Sequence, residues 1–257
     1  MSVPVPALMV DGPAESQDDS SLPVLHLLHE EYPPYVYRKD GKVVGKVARI
    51  ATIIARRAGY TIEWRQTAYR RLVREIILSA KPLCAAGYRQ EHRDLFGIMA
   101  SKPFGWFPGS ALAIRKSDVH LFNKHRSIED IMSDTSLRGA FLMGARYIGV
   151  GEDVWAGRVK RHILIGSTDA ELGVLVARNR AHFAVINPDQ TGYLIENVKS
   201  ASNLTVYKPS GMAPPRDVGF ICSKSTNGEI WERINEAIGS LPAFNDWNWD
   251  TEKATLN

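Results

Sequence analysis

The sequence is poor in the features that most chemistries need. It has only two cysteines, Cys84 and Cys222, and no CxxC pair, which argues against a zinc ribbon or a thioredoxin-like site. Each cysteine lies in an apolar run, where a free thiol behaves as a small hydrophobe. In an oxidising compartment the two could pair instead, and the residues leave both outcomes open. No apolar run approaches the roughly 18 residues of a membrane span, so no membrane insertion is expected. Residues 1–21 lack a basic segment followed by an apolar core, so no signal peptide is visible. The chain is then either cytosolic or a mature form whose export signal has been cut away. Net charge is only +4, with a pI near 9.0. The basic residues, among them Arg56, Arg57, Arg70, Arg71 and Arg74, are scattered rather than gathered into a stripe, which argues against nucleic acid as a partner.

Catalytic signatures are missing too. There is no GxSxG elbow, HExxH helix or P-loop. His92-Arg93-Asp94 imitates a kinase catalytic loop, but Met99 stands where that loop needs Asn. Gly149 and Gly151 make a GxG without its third glycine and read as turn chemistry. The histidines are dispersed. His26 and His29 flank the first strand, His120 and His125 bracket a polar loop, and none has ligand spacing. They read as surface or capping residues, and neither a metal nor a cofactor is expected.

What is present is an ordinary globular balance, 44% hydrophobic and 23% charged over 257 residues, enough for one large domain or two. The organising stretch is Glu31-Tyr32-Pro33-Pro34-Tyr35-Val36-Tyr37, followed by the turn signal Asp40-Gly41. It comes after Leu22–Leu28, an apolar run that reads as a buried strand. The prolines cannot donate to a ladder, so the strand should stop by Tyr32. Tyr32 and Tyr35 would then stand on a stiff loop at a strand end, where open α/β sheets bind ligands.

The rest of the chain alternates. Val47, Ile50, Ala51, Ile54, Ala55 and Ala58 trace one helix face, with Gly59 as its stop. Thr61–Arg65 reads as a strand; Leu72, Val73, Ile76, Ile77 and Ala80 as a helix; Pro82–Tyr88 as a strand. Ser110–Arg115 is another strand, and Ser127–Met132 a short helix in which Asp130 suits a capping box less well than Glu would. A second α/β unit follows: strand 139–144 closed by Arg146-Tyr147-Ile148-Gly149, helix 150–161, strand 163–165, helix 169–179 and strand 181–186 closed by Asn187-Pro188-Asp189. Strand Val218–Cys222 and a helix marked by Ile230, Ile234, Ala237, Ile238 and Leu241 end the pattern. Two α/β units with a strand and helix left over argue for two lobes.

In order and spacing, Glu31–Tyr37, Asp40–Gly45, the helix ending Ala58-Gly59-Tyr60, Arg89-Gln-Glu-His-Arg93 and Ser101-Lys-Pro-Phe104 resemble the family 3 extracellular solute-binding proteins, bacterial periplasmic receptors of polar amino acids and related solutes. The resemblance spans about residues 22–245. It implies an α/β fold of two lobes, each a mixed, mostly parallel sheet flanked by helices, joined by two hinge strands. Lobe one would be 22–113 with 211–250, and lobe two 114–210, between a flexible leader 1–21 and a tail 251–257.

The resemblance also implies a site. Arg93 matches the arginine that grips a ligand carboxylate, and a guanidinium is a rigid bidentate fork for that task. Tyr32 matches the aromatic packed on the ligand, with Tyr35 beside it. Ala85, Ala86, Gly87 and Tyr88 match the segment whose backbone lines the cleft. Asn187 stands where the family has an Asp for an α-ammonium, and Asp189 lies two residues on. Arg146 and Tyr147 replace the family's Gly-Thr segment, which suits an anionic or aromatic solute. The spacing from Arg93 to Ser101 is one residue longer than usual. The expectation is a monomeric periplasmic receptor without a cofactor, taking a small solute for ABC-type uptake or for sensing. Two other classes stay open: a dehydratase-like enzyme using Asp189, Glu91 or His92, and an interaction domain with a vestigial cleft.

Overall fold

A computed structural model describes residues 21–89, 98–142, 163–166 and 168–241. In chain order the strands and helices are β1 (Val24–His29), β2 (Tyr37–Lys39), β3 (Lys42–Val44), α1 (Lys46–Arg57), β4 (Thr61–Gln66), α2 (Tyr69–Leu78), β5 (Cys84–Arg89), β6 (Met99–Ala100), β7 (Gly105–Phe107), β8 (Ala111–Arg115), α3 (Val119–Phe122), α4 (Ile128–Ser133), β9 (Gly139–Leu142), β10 (Ile163–Gly166), α5 (Asp169–Ala177), β11 (Phe183–Ile186), α6 (Pro188–Asn197), β12 (Leu204–Tyr207), β13 (Arg216–Cys222) and α7 (Gly228–Gly239).

Apart from the β2–β3 hairpin, these strands build two sheets. One has the order β4-β1-β5-β13-β6, with β7 also paired to β13; the other runs β10-β9-β11-β8-β12. In each sheet a single strand opposes the rest. β13 is antiparallel to β5, β6 and β7, and β8 is antiparallel to β11 and β12. Both reversed strands are the first laid down after the chain crosses from one sheet to the other. The two crossings touch, since the Ser110 N–H donates to the Ala213 carbonyl at 2.9 Å. The α/β alternation of the sequence thus yields two sheets with one reversed strand each, joined at a paired crossing.

Burial explains the elements. α1 buries Val47, Ala48, Ile50, Ala51, Ile54 and Ala55 on one face, against Leu25, Leu27, Phe220 and Ile234. The other sheet closes over Leu112, Ile114, Phe122, Phe141 and Phe183 on one side and Leu172, Val176, Ile186 and Leu204 on the other. Cys84 and Cys222, directly opposed on β5 and β13 and fully buried, form a disulfide. The pairing left open by the sequence therefore forms. Closing a loop of 138 residues contributes about 5 kcal/mol in the chain-entropy account.

Several expectations are corrected. Both His26 and His29 lie within β1, and His29 is buried rather than a surface residue. The second helix ends at Leu78, before Ala80, and Ile77 on it is exposed, because Ser79 turns to extended backbone and bonds the Lys81 N–H and carbonyl. At the short helix α4, Ser127 accepts from Asp130 N, while the Asp130 carboxylate takes the N–H of Arg126 rather than that of Ser127. Asn187-Pro188-Asp189 does not merely close a strand: it starts α6, with Asn187 as N-cap and Pro188 in the first turn. The expected helix 150–161 and the end of strand 139–144 lie outside the described residues.

Candidate functional site

The Tyr-Pro-Pro-Tyr loop is built from the backbone outward. Tyr32 and Val36 exchange N–H···O bonds of 2.8 and 3.0 Å, and the Pro33–Pro34 peptide is cis. The N-terminus of α1 then caps the loop. Lys46 N donates to the Pro34 carbonyl, and Val47 N to that of Tyr35 at 2.8 Å, so orphan helix donors are satisfied by loop oxygens. Gly45 makes this possible. It has φ of 115° and no room for a Cβ, which would lie 2.4 Å from the Tyr35 oxygen.

This scaffold stacks three rings. Tyr35 lies 4.2 Å from Phe107 and 5.2 Å from Tyr32, measured between centroids, and Tyr32 lies 5.7 Å from Phe107. Tyr35 is 3% exposed and belongs to the core of its sheet, so its ring is structural and its hydroxyl carries the polar contact. That hydroxyl crosses to the other sheet. It donates to Asp189 Oδ2 at 3.0 Å and lies 3.4 Å from Asn187 Oδ1. Burial, then the Asp189 charge, hold the phenol well above its usual range, which keeps it a donor. Asn187 Nδ2 donates to the Tyr32 hydroxyl at 3.2 Å. Lys46 Nζ lies 3.7 Å from Asp189 Oδ2, and the rings of Tyr37 and Tyr193 meet edge-on at 5.5 Å.

A second cluster spans the sheets beside the first. In β5, Gly87 has φ of +84° and is an extra residue: Tyr88 faces Gly219 while Ala86 faces Phe220. The bulge changes the side on which the next residue falls. Ala86 packs with Cys84 and Val47, whereas Tyr88 joins Ala85 and Leu28 on the opposite face. There the Tyr88 hydroxyl donates to Glu30 Oε1 at 3.3 Å, and the ring stacks on Tyr69 at 6.4 Å. Across from it, Asp169 in the first turn of α5 accepts from Gln190 Nε2 at 2.8 Å and is 8% exposed. Burial, then the charge of Asp169, push the Glu30 carboxyl up to about 8. Burial raises Asp169 to about 6, against the opposing effect of the Gln190 bond.

Of the residues expected at the site, Tyr32, Tyr35, Asn187 and Asp189 are brought together directly. Tyr88 is joined to this region through Glu30. Ala86 is buried in the core, and Gly87 packs against Val47 and Phe107. Arg93, Arg146 and Tyr147 lie outside the described residues. Sequence reasoning missed Glu30, Lys46, Phe107, Asp169 and Gln190. Lys46 did leave a signal, because a lysine in the first turn of a helix opposes the macrodipole unless an acid faces it.

No protein-family pattern and no curated protein matches this chain. Solved structures do match. A histidine kinase sensor domain described as similar to periplasmic binding proteins aligns with TM-score 0.65 and 18% identity, over 85% of this chain and 89% of that one. A truncated, arginine-bound ArgBP from T. maritima aligns with TM-score 0.64 and 17% identity, over 87% and 98%. AncCDT-1, an ancestral amino acid-binding protein described as a precursor of cyclohexadienyl dehydratase, aligns with TM-score 0.63 and 16% identity, over 84% and 88%. At such identities the likeness is one of fold. The chain carries the two-lobed α/β fold of periplasmic binding proteins, a fold used by binding proteins and by a sensor domain.

Proposed function

We propose that this chain is a non-catalytic receptor. Two lobes, residues 22–113 with 211–250 and residues 114–210, close about a small polar solute, as hinged receptors do. The observation that carries this reading is the meeting of Tyr32 and Tyr35 from one sheet with Asn187 and Asp189 from the other. Aromatic walls with a few placed polar groups are the ordinary makeup of a solute pocket. Arg93 and Arg146 would grip a carboxylate, and Tyr147 would add an aromatic face. The receptor would act as a monomer in the periplasm, passing the solute to an ABC-type transporter or reporting it to a membrane sensor. The disulfide supports that location, because such bonds persist in oxidising compartments.

The test is a thermal-shift screen of the purified chain against amino acids, organic acids, polyamines, nucleosides and aromatic metabolites. A solute that binds only the folded state adds about 2.7 kcal/mol at a hundredfold excess over its dissociation constant. A shift confined to one chemical class supports the receptor; no shift with any class rejects it. A second reading, an enzyme on the same fold, has one observation in its favour. Glu30 holds its proton up to about 8, the state a general acid needs. Product formation from a bound solute would decide for it.

A further inference from the structure

The contact that Asn187 and Asp189 make with the opposite sheet is complete in itself. The Asn187 amide oxygen accepts from Gln190 N of its own helix at 3.0 Å and lies 3.4 Å from the Tyr35 hydroxyl. Its amide nitrogen donates to the Tyr32 hydroxyl at 3.2 Å. Asp189 Oδ2 takes the Tyr35 hydroxyl at 3.0 Å and faces the Lys46 ammonium at 3.7 Å. Donor thus meets acceptor, and cation meets anion, between the two sheets. Tyr193 on α6 adds a ring against Tyr37 of β2.

Both halves of this contact are held in place by their own lobes. Tyr32 and Val36 are cross-bonded, Tyr35 is packed in the core on Phe107, and Lys46 opens α1, whose N–H groups hold the loop carbonyls. Opposite them, Asn187 is the N-cap of α6 and Asp189 lies in its first turn, fixed by the capping box and by Pro188. Neither half has to order itself to meet the other, so little entropy is lost when they join. The two crossings between the sheets are also pressed together. The Ser110 N–H bonds the Ala213 carbonyl, and a Cβ on Gly109 would collide with that oxygen. A swing of one sheet against the other pivots at such a seam and makes or breaks the tyrosine contact as a unit.

We infer that Tyr32, Tyr35, Lys46, Asn187 and Asp189 form an intramolecular latch, which holds the lobes closed through the protein's own groups before any solute binds. The inference rests on the receptor reading above and deepens it. The latch is an autoinhibitory contact: solute enters only when it opens, and the side chains it meets there are otherwise paired with one another. Apparent affinity is then reduced by the fraction of molecules that are unlatched.

The test is a distance measurement between two spin labels on the full, extensively dialysed chain, and it needs no solute. The native cysteines are buried in their disulfide, so Lys39→Cys on β2 and Glu196→Cys on α6, both exposed positions, take the labels selectively. The labelled parent should show one short interlobe distance. Tyr32→Phe, Tyr35→Phe and Lys46→Met together remove every first-sheet partner of Asn187 and Asp189 but keep the rings and the apolar stem. This variant should show a second, longer population, with the latched-to-open ratio lowered about fivefold for each bond lost. Tyr35→Phe alone gives the same readout, at smaller amplitude, in case the triple variant fails to fold. A parent that already shows the long distance overturns the inference. A folded variant that keeps only the short distance overturns it as well, because something other than these groups then holds the lobes. Either result leaves the receptor standing, which falls instead on an empty thermal-shift screen.

Discussion

The two ends of the interlobe contact solve the same problem in opposite ways. At the Asp189 end the protein supplies both charges: a lysine, two phenols and a capped helix start meet across the lobes. At the Glu30–Asp169 end the described residues supply two acids bonded by neutral donors, the Tyr88 hydroxyl and the Gln190 amide. The first end ties the two sheets through groups of the protein itself. The second holds two carboxyls that keep their protons to higher pH than usual, Asp169 to about 6 and Glu30 to about 8.

The largest effect that would break this comparison is at Tyr35, where core and contact coincide. Tyr35→Ala removes a ring packed on Phe107 and should cost about 3–5 kcal/mol in urea unfolding. Tyr35→Phe keeps the ring and loses only the hydroxyl, for about 1 kcal/mol. If both variants cost the same, the hydroxyl and not the core dominates, and the Asp189 end is far stronger than described.

The second effect lies in the pH dependence of the solute-free protein. Asp169 ionises near 3.8 when unfolded and near 6 when folded, so the native state holds its proton more tightly. Its contribution is fully present below 3.8 and is lost as pH rises through 6. The loss is about 3 kcal/mol, at 1.36 kcal/mol per unit. Glu30 acts in the same sense and loses its contribution as pH rises through about 8. His29 acts in the opposite sense. Burial holds its folded pKa below 6.5, so its contribution is present above 6.5 and lost as pH falls. Glu31 and Arg38 face it with opposing effects. Asp169→Asn should therefore stabilise the protein by about 3 kcal/mol at pH 8 and hardly at all at pH 3.5. Destabilisation at pH 8 would show that the carboxylate is already well compensated, and the contrast between the two ends would fall.

Much of the Asp189 end was legible in the sequence, and little of the Glu30 end. The Tyr-Pro-Pro-Tyr loop announces itself through residues that cannot continue a strand, and α1 through its apolar spacing. α6 and β12 were not read. Pro188 after Asn187 reads as a turn, although proline also suits the first turn of a helix, and Gly192 weakens the pattern that follows. Glu30 and Asp169 stand at a strand end and a helix start, where acids are ordinarily solvated; only the folded chain buries Asp169 and half-buries Glu30. The Gly87 bulge is equally silent, since one extra residue decides which face Tyr88 takes, and strand alternation assigns it to the wrong one.

Asn187 gives a finer test of the Asp189 end, because α7 offers a control. Asn227 caps α7 as Asn187 caps α6, each accepting from the N–H three residues on, at 2.8 and 3.0 Å. Only Asn187 also bonds Tyr32 and Tyr35 across the lobes. Asn227→Ala should cost about 1 kcal/mol as a lost cap. Asn187→Ala should cost about 1 kcal/mol more, for the bonds made across the lobes. Equal costs in denaturant unfolding would mean that those bonds add nothing to stability.

The smallest effect belongs to the Lys46–Asp189 pair. Its side chains are 29% and 35% exposed, so water screens the attraction and the pair should contribute at most about 1 kcal/mol. A double-mutant cycle with Lys46→Met and Asp189→Asn isolates it, since the amide still accepts from Tyr35. The coupling should fade toward zero at 1 M salt, where the Debye length is about 3 Å. A coupling absent even at low salt would strip the Asp189 end of its internal cation, leaving two acidic ends instead of one.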